Sequence, residues 1–229
     1  MKMVIADLKG FEIYVPNGYL FYAEAFIEKN ISDRSVEYFL ENDSNDWQSV
    51  DWHSLDKDAL SKVKFKNINW QHDKINMYGK EMYLPRYSAW YGDTDKSYTY
   101  SGIHLEPNVW NKGLLYLKER IESITDVKFN SVLMNWYRDG FDHIGWHTDA
   151  ESELGQNPVI ASLNFGASRD FVIRTKDKSQ KMSIPLKHGT LLIMGGALQH
   201  FWEHSVPPRK KVKEARFNLT FRVIKHDHA

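Results

Sequence analysis

Residues 147–149 combine an imidazole and a carboxylate at a spacing that suits a metal ion. His147 and Asp149 are two positions apart in the segment GWHTD, and in an extended chain residues i and i+2 point to the same side. A second histidine would complete a two-histidine, one-carboxylate set, which leaves open positions on Fe(II). The same pair is also typical of surface residues or of buried, hydrogen-bonded histidines. The downstream candidates for the third ligand are His188, His200 and His204.

The segment 216–222 carries two arginines on one side of a predicted strand. The polar residues occupy the even-numbered positions: Arg216, Asn218, Thr220 and Arg222. The apolar residues occupy the odd-numbered positions: Phe217, Leu219, Phe221 and Val223. An edge strand with a solvated polar face would be the simpler interpretation, but the apolar side predicts a buried strand. Because a guanidinium group binds both oxygens of a carboxylate, two arginines beside an iron site indicate a dicarboxylate co-substrate.

Four stretches of the chain resemble the AlkB-like Fe(II)- and 2-oxoglutarate-dependent dioxygenases, and within them the AlkB homologue 2 branch, which acts on duplex DNA. They are MNWYRDGFDHIGWHTD (134–149), NPVIASLNFGASRDFVIR (157–174), LKHGTLLIM (186–194) and HSVPPRKKVKEARFNLTFR (204–222). A weaker match runs from MYGKEMYLPR (77–86) through YGDTDKSYTYSG (91–102). The resemblance implies a double-stranded β-helix (jelly roll) core, mainly β with flanking helices.

The resemblance also implies a role for each matching residue of the core. It selects His204 as the distal ligand, so that His147, Asp149 and His204 hold Fe(II). Arg222 matches the arginine that grips the distal carboxylate of 2-oxoglutarate, and Arg216 matches its companion. The other expected co-substrate contacts are Asn135, Tyr137, Asn218 and Thr220.

Contacts with nucleic acid are implied by the weaker match and by a basic run within the last of the four stretches. Tyr98 and Tyr100 match positions that line the base pocket, where a flipped base is held by stacking. Tyr78, Gly79 and Lys80 match a short hairpin that enters the base stack, and an aromatic wedge suits that role. Ordinary surface or core tyrosines are the alternative. A basic run matches phosphate contacts, although it could be a solvated turn: Arg209, Lys210 and Lys211.

Two departures from the family pattern bear on the substrate. The acid that often follows the motif's aspartate is replaced by Ala150, and Glu151 comes next as the candidate base-pocket contact. The segment after Arg174, TKDKSQKMS, is shorter than the loop that grips the second strand in the duplex-DNA branch. The sequence therefore leaves the choice between duplex and single-stranded substrate open.

The reaction implied is oxidative demethylation of N-alkylated DNA bases such as 1-methyladenine and 3-methylcytosine. It consumes O2 and 2-oxoglutarate and releases formaldehyde, succinate and CO2. Methylation of a Watson–Crick edge weakens pairing, which lowers the cost of flipping the base. Two alternatives stay open: the same chemistry on RNA or protein, and a non-catalytic nucleic-acid-binding module that keeps the fold.

The predicted elements that must position these residues change character along the chain. Residues 18–29 are predicted to form an amphipathic helix that residues 34–41 continue after a break at Ser32–Asp33. A second helix is predicted over 109–124 from apolar spacings of three and four. Period-two patterns predict later strands, at 131–138, 159–166, 170–176, 190–196 and 217–224. We therefore expect one domain with three parts: an N-terminal helical or irregular extension (1–70), a nucleotide-recognition lid (71–108) and the dioxygenase core (109–229).

Composition limits the other possibilities. The 229 residues contain no cysteine, which excludes disulfide scaffolds, cysteine nucleophiles and thiolate metal clusters. Net charge is zero, but residues 1–60 carry 5 basic and 12 acidic side chains, whereas residues 201–229 carry 7 and 3. Local basic segments can still bind phosphate. With no apolar run of about 20 residues, we expect an intracellular soluble monomer without a membrane partner, in the cytoplasm of a bacterium or the nucleus of a eukaryote.

Overall fold

A computed structural model of the chain describes residues 10–43, 60, 62–77, 80–94, 98–100 and 103–225. The β-strand is the commonest regular structure among these residues, and the helices among them include α1 (Lys29–Leu40), α2 (Lys112–Glu122) and the one-turn α3 (Leu198–Phe201). The strands are β1 (Gly10–Val15), β2 (Gly18–Ala23), β3 (Lys74–Met77), β4 (Lys80–Tyr83), β5 (Tyr87–Gly92), β6 (Tyr98–Tyr100), β7 (Ile103–Leu105), β8 (Asn108–Val109), β9 (Ser131–Tyr137), β10 (Ile144–His147), β11 (Ile160–Gly166), β12 (Arg169–Thr175), β13 (Lys181–Leu186), β14 (Thr190–Gly196), β15 (Trp202–Val206) and β16 (Arg216–Arg222).

Two sheets build the core and enclose a cavity between them. The larger sheet has the order β1-β2-β14-β11-β16-β9-β5-β8, and the smaller one has the order β10-β15-β12-β13. Side chains from both sheets line one buried cavity. The hairpins β3–β4 and β6–β7 form two separate two-stranded sheets. This arrangement confirms the predicted mainly β, double-stranded β-helix architecture.

Strand β16 lies in the middle of the larger sheet and is buried along its whole length. Its apolar side packs into the main core, where Phe39 of α1 and Leu117 of α2 also lie. Full burial of each such side chain stabilises the fold by about 1.5–3 kcal/mol. The polar side of β16 faces the cavity. The two parities predicted from the sequence therefore correspond to the two faces of this strand.

The strands predicted from period-two patterns correspond to β9, β11, β12, β14 and β16, with ends shifted by one or two residues. The predicted second helix corresponds to α2. Asn111 caps it, because its side-chain oxygen accepts a hydrogen bond from the Leu114 backbone N–H at 2.9 Å. No helix of the described ranges is long and apolar enough to cross a membrane.

The helix predicted at residues 18–29 is wrong. Residues 18–23 form β2, which joins β1 through a two-residue turn at Pro16 and Asn17, with Asn17 in the left-handed region at φ 66°. Strand β2 also pairs with β14, inside the larger sheet. Because residues 20–23 are all buried, their apolar run does not show the alternation that marks a half-exposed strand. Residues 10–23 are thus part of the core sheet and not of a helical extension.

Candidate active site

The three predicted metal ligands lie close together in the cavity between the sheets. The ligand atoms of His147, Asp149 and His204 all lie within 4.8 Å of one another. His147 on β10 pairs directly with His204 on β15, and Asp149 follows β10 after a single residue. The pairing of two strands therefore brings together two histidines that are 57 positions apart.

Hydrogen bonds orient this cluster. Nδ1 of His147 donates to the Gly145 carbonyl oxygen at 2.9 Å, which leaves Nε2 with its lone pair for a metal. The backbone N–H of Asp149 donates to Oε1 of Gln199, a buried side chain of α3, at 2.9 Å. Burial lowers the pKa of His147, and it lowers the pKa of His204 to about 3. Both imidazoles are therefore neutral at pH 7, as metal ligation requires.

The donor set of the cluster fits Fe(II). Two neutral imidazoles and one carboxylate form the facial arrangement that non-haem Fe(II) oxygenases use. Burial raises the pKa of Asp149, but the favourable interactions with Arg222, His204 and His147 together outweigh it and the net shift is downward. The carboxylate is therefore ionised and able to bind a cation. His188 and His200 lie elsewhere: His188 accepts a hydrogen bond from the Gly166 backbone N–H at 2.8 Å, and His200 contacts the Gln156 carbonyl oxygen.

Arg222 lies at the metal end of the cavity. Its Nη2 donates to Oδ1 of Asp149 at 2.5 Å. The expectation that Arg222 grips the far carboxylate of 2-oxoglutarate does not match this position. Its guanidinium is instead bonded to the carboxylate of a predicted metal ligand.

Arg216 lies at the opposite end of β16 and offers an anion site. Its side chain is about 1% exposed, its guanidinium carbon lies 4.9 Å from the centre of the Tyr137 ring, and Nη2 donates to Oδ1 of Asn164 at 2.6 Å. Within the described part of the chain, Nε and Nη1 have no hydrogen-bond partner. Burial lowers the pKa of Arg216 to about 10, so the group remains charged at pH 7. A buried guanidinium with two donor atoms still available suits a carboxylate.

The remaining predicted co-substrate residues line the same cavity. Oδ1 of Asn135 accepts a hydrogen bond from Nε of Arg86 at 2.9 Å. Nδ2 of Asn218 donates to Oγ of Ser162 at 2.7 Å, and the Thr220 hydroxyl donates to Oδ1 of Asn218 at 3.0 Å. The cavity thus has a continuous polar floor on β9, β11 and β16.

Sequence reasoning missed several residues of the site. These are Arg86, Ser162, Asn164 and Gln199. Ser162 and Asn164 share one parity in a strand that is otherwise apolar, and that signal could have identified them. No comparable pattern marks Arg86 or Gln199, because each belongs to a segment distant in sequence.

The structure locates the predicted nucleic-acid contacts only in part. Tyr78 and Gly79 lie outside the described residues. The side chains of Lys80 on β4 and of Tyr98 and Tyr100 on β6 are outside them too. Glu151 directly precedes a 3₁₀ turn at Ser152–Leu154 and is half-buried. In the basic run, Nε of Arg209 donates to Oδ2 of Asp170 at 2.8 Å, whereas Lys210 and Lys211 are exposed.

This fold and this cluster define an iron-dependent oxygenase of the jelly-roll type, and comparison with protein families agrees. Residues 48–222 match the 2OG-Fe(II) oxygenase superfamily. The chain belongs to this superfamily, whose cofactor and co-substrate are Fe(II) and 2-oxoglutarate, used with O2. The chain is also 44% identical over 159 residues to the DNA oxidative demethylase ALKBH2 of Homo sapiens, covering 66% of this chain and 61% of that protein.

Two further similarities complete the comparison. The alpha-ketoglutarate-dependent dioxygenase alkB homolog 3 of Bos taurus is 48% identical over 153 residues, which cover 62% of this chain and 53% of that protein. The chain thus spans about half to three-fifths of the length of these curated relatives. The solved structure of OsALKBH1 superposes with a TM-score of 0.52 at 15% identity, covering 94% of this chain and all of that one. That likeness concerns the fold alone.

Proposed function

We propose that the protein is a DNA repair dioxygenase that removes methyl groups from N-alkylated bases such as 1-methyladenine and 3-methylcytosine. One observation supports it most: half-buried His147 and buried Asp149 and His204 share their cavity with the Arg216 guanidinium, whose Nε and Nη1 have no hydrogen-bond partner among the described residues. The names of the relatives support DNA as the substrate class. When bound, Fe(II) and 2-oxoglutarate supply the oxidation of the methyl group by O2, with release of succinate, CO2 and formaldehyde.

The chain's own residues bind and orient the reactants. Arg216 holds the far carboxylate of 2-oxoglutarate through Nε and Nη1, while Tyr137 and Asn164 hold its guanidinium in place. Arg222 engages one oxygen of Asp149 and leaves the other for the metal. Apolar side chains from both sheets line the rest of the cavity and exclude water: Leu133, Ile144, Phe171, Leu186, Met194 and Val206.

The proposal extends to the division of the chain. The hairpins β3–β4 and β6–β7, within residues 71–108, are the nucleotide-recognition lid, and residues 109–229 carry the iron site. Tyr98 and Tyr100 stack on the flipped base, Glu151 contacts it, and Tyr78 with Gly79 and Lys80 enters the base stack. The lid therefore supplies substrate recognition, whereas the sheets supply the reaction site.

Mass spectrometry of a methylated oligonucleotide tests the proposal. A 3-methylcytosine strand, alone and in duplex, is incubated with the protein, Fe(II), ascorbate and 2-oxoglutarate. Loss of one methylene mass that depends on 2-oxoglutarate supports the assignment and ranks the two strand states. Succinate release without demethylation of DNA would move the search to RNA or protein substrates. If neither product forms, the protein is a binding module and the proposal fails.

A further inference from the structure

Two loops that adjoin the cavity strands are bound to each other. Residues 138–143 connect β9 to β10, and residues 207–215 connect β15 to β16. The Arg209 backbone N–H donates to the Gly140 carbonyl oxygen at 2.7 Å, and the Gly140 N–H donates to the Val212 carbonyl oxygen at 2.9 Å. A Cβ on residue 140 would lie 1.8 Å from the Arg209 carbonyl oxygen, so only glycine permits this approach.

A buried arginine forms hydrogen bonds with both loops. Arg169 is about 2% exposed, and its guanidinium donates to the carbonyl oxygens of Asp139 at 3.0 Å, Asp142 at 2.9 Å and Pro207 at 2.7 Å. Because breaking these bonds would leave a buried charge without partners, the loops are held in one relative position. The surface they form is therefore rigid.

That surface presents an aromatic ring between amines. Phe141 is 43% exposed, and its backbone N–H donates to Oδ1 of Asp139 at 2.8 Å. Nζ of Lys213 lies 5.6 Å from the ring centre and Nζ of Lys210 lies 6.0 Å from it. These distances are near the limit of a cation–π contact, so a stacking partner can displace either flexible lysine. Arg209, by contrast, is engaged with Asp170.

The cations and rings on the side of the β3–β4 hairpin do not extend this surface. Nη2 of Arg138 donates to Oδ1 of Asp142 at 2.8 Å, and Tyr87 is only 4% exposed. The exposed ring of Phe141 with its two amines is therefore the accessible feature, and an aromatic ring beside cations suits single-stranded nucleic acid.

We propose that Phe141, Lys210 and Lys213 form a second contact surface for the nucleic-acid strand, outside the base pocket. The ring stacks on an unpaired base, and the amines meet the flanking phosphates. This inference rests on the proposed function, because it assumes a nucleic-acid substrate. It assigns Phe141 a role that neither motif nor resemblance indicates.

Binding of the full chain to a labelled, unmodified single strand of about 12 nucleotides, measured by fluorescence anisotropy, tests the stacking. Since stacking contributes about 1–3 kcal/mol per base, Phe141→Ala should weaken binding about 5-fold or more. Phe141→Tyr keeps the ring and should bind within about 2-fold of the native chain. Phe141→Leu, apolar but without a π-face, should resemble the alanine variant. Phe201→Ala, a change at another exposed phenylalanine (49%), is the control.

The salt dependence of binding tests the lysines. Each phosphate contact on a single strand contributes about 0.7 to the slope of log K against log salt. The double variant Lys210→Gln, Lys213→Gln should therefore lower that slope by about 1.4. An unchanged slope, or native binding by Phe141→Ala or Phe141→Leu, would overturn the inference.

Demethylation by the native chain, assayed in parallel, separates this inference from the proposed function. Suppose that the native chain demethylates a methylated strand, but Phe141→Ala binds the unmodified strand as tightly as the native chain does. The second surface is then wrong and the proposed function stands. If binding depends on Phe141 but no methylated strand is turned over, the surface stands and the reaction is wrong. Thermal unfolding of each variant confirms that it is folded.

Discussion

Nη2 of Arg222 lies 2.5 Å from Oδ1 of Asp149, and both side chains are about 3% exposed. The other carboxylate oxygen, Oδ2, lies 3.6 Å from Nε2 of His204. The arginine therefore engages one oxygen of the carboxylate and leaves the second directed toward the other ligands. We propose that Arg222 is a positioning residue for the metal site, which would separate its role from that of Arg216.

Arg222→Met should weaken metal binding about 10- to 100-fold, the usual loss when a group that orients a ligand is removed. Asp149 would lose the hydrogen bond that orients it and the charge that keeps it ionised. Titration with Mn(II), followed by electron paramagnetic resonance, measures the affinity. Arg216→Met is the matched control and should keep the native affinity. Equal affinity in both variants would contradict the positioning role.

Arg216→Met should raise the apparent KM for 2-oxoglutarate while metal affinity stays native. Hydrogen bonds to a charged group contribute about 1.5–3 kcal/mol, which corresponds to about a 10- to 150-fold increase. The measurement is succinate release at varied 2-oxoglutarate. Without co-substrate the variant should unfold at a temperature no lower than the native chain, because it removes a buried charge whose partners are incomplete. A native KM would contradict the anion site.

Removal of any metal ligand should abolish turnover. His147→Ala, Asp149→Ala and His204→Ala each leave two of three ligands, and Mn(II) binding should be lost together with succinate formation. His200→Ala changes a histidine outside the cluster that contacts the Gln156 carbonyl oxygen. This control should bind metal normally. Native turnover in any ligand variant would remove that residue from the site.

Arg169→Met should loosen the loop pair and lower the free energy of unfolding by about 1–3 kcal/mol for each buried carbonyl oxygen that loses its donor. Amide hydrogen exchange at Gly140 and Arg209 should become faster. Arg209→Ala is the comparison, since its ion pair with Asp170 is exposed and contributes about 0–1 kcal/mol. Similar losses in both variants would show that Arg169 does not hold the loops.

Local patterns in the sequence determined much of the fold. The parity of residues 216–222 separated a core face from a cavity face because side chains alternate strictly along a strand. The spacing of apolar residues identified α2 for an equally local reason. Neither signal exists where a strand is buried on both faces, as in β2, or is short, as in β10 and β15.

The spacing of His147 and Asp149 was also sufficient to indicate one edge of a metal site. Only the pairing of β10 with β15 places His204 opposite His147. Likewise, the sequence shows that Arg216 and Arg222 share a face of the strand, but not which of them lies near the metal ligands. The alternating pattern is the same at both ends of the strand, and only the packing of the second sheet decides which end meets the ligands. The contact between the 138–143 and 207–215 loops has the same origin, because Arg169 joins segments that no local pattern relates.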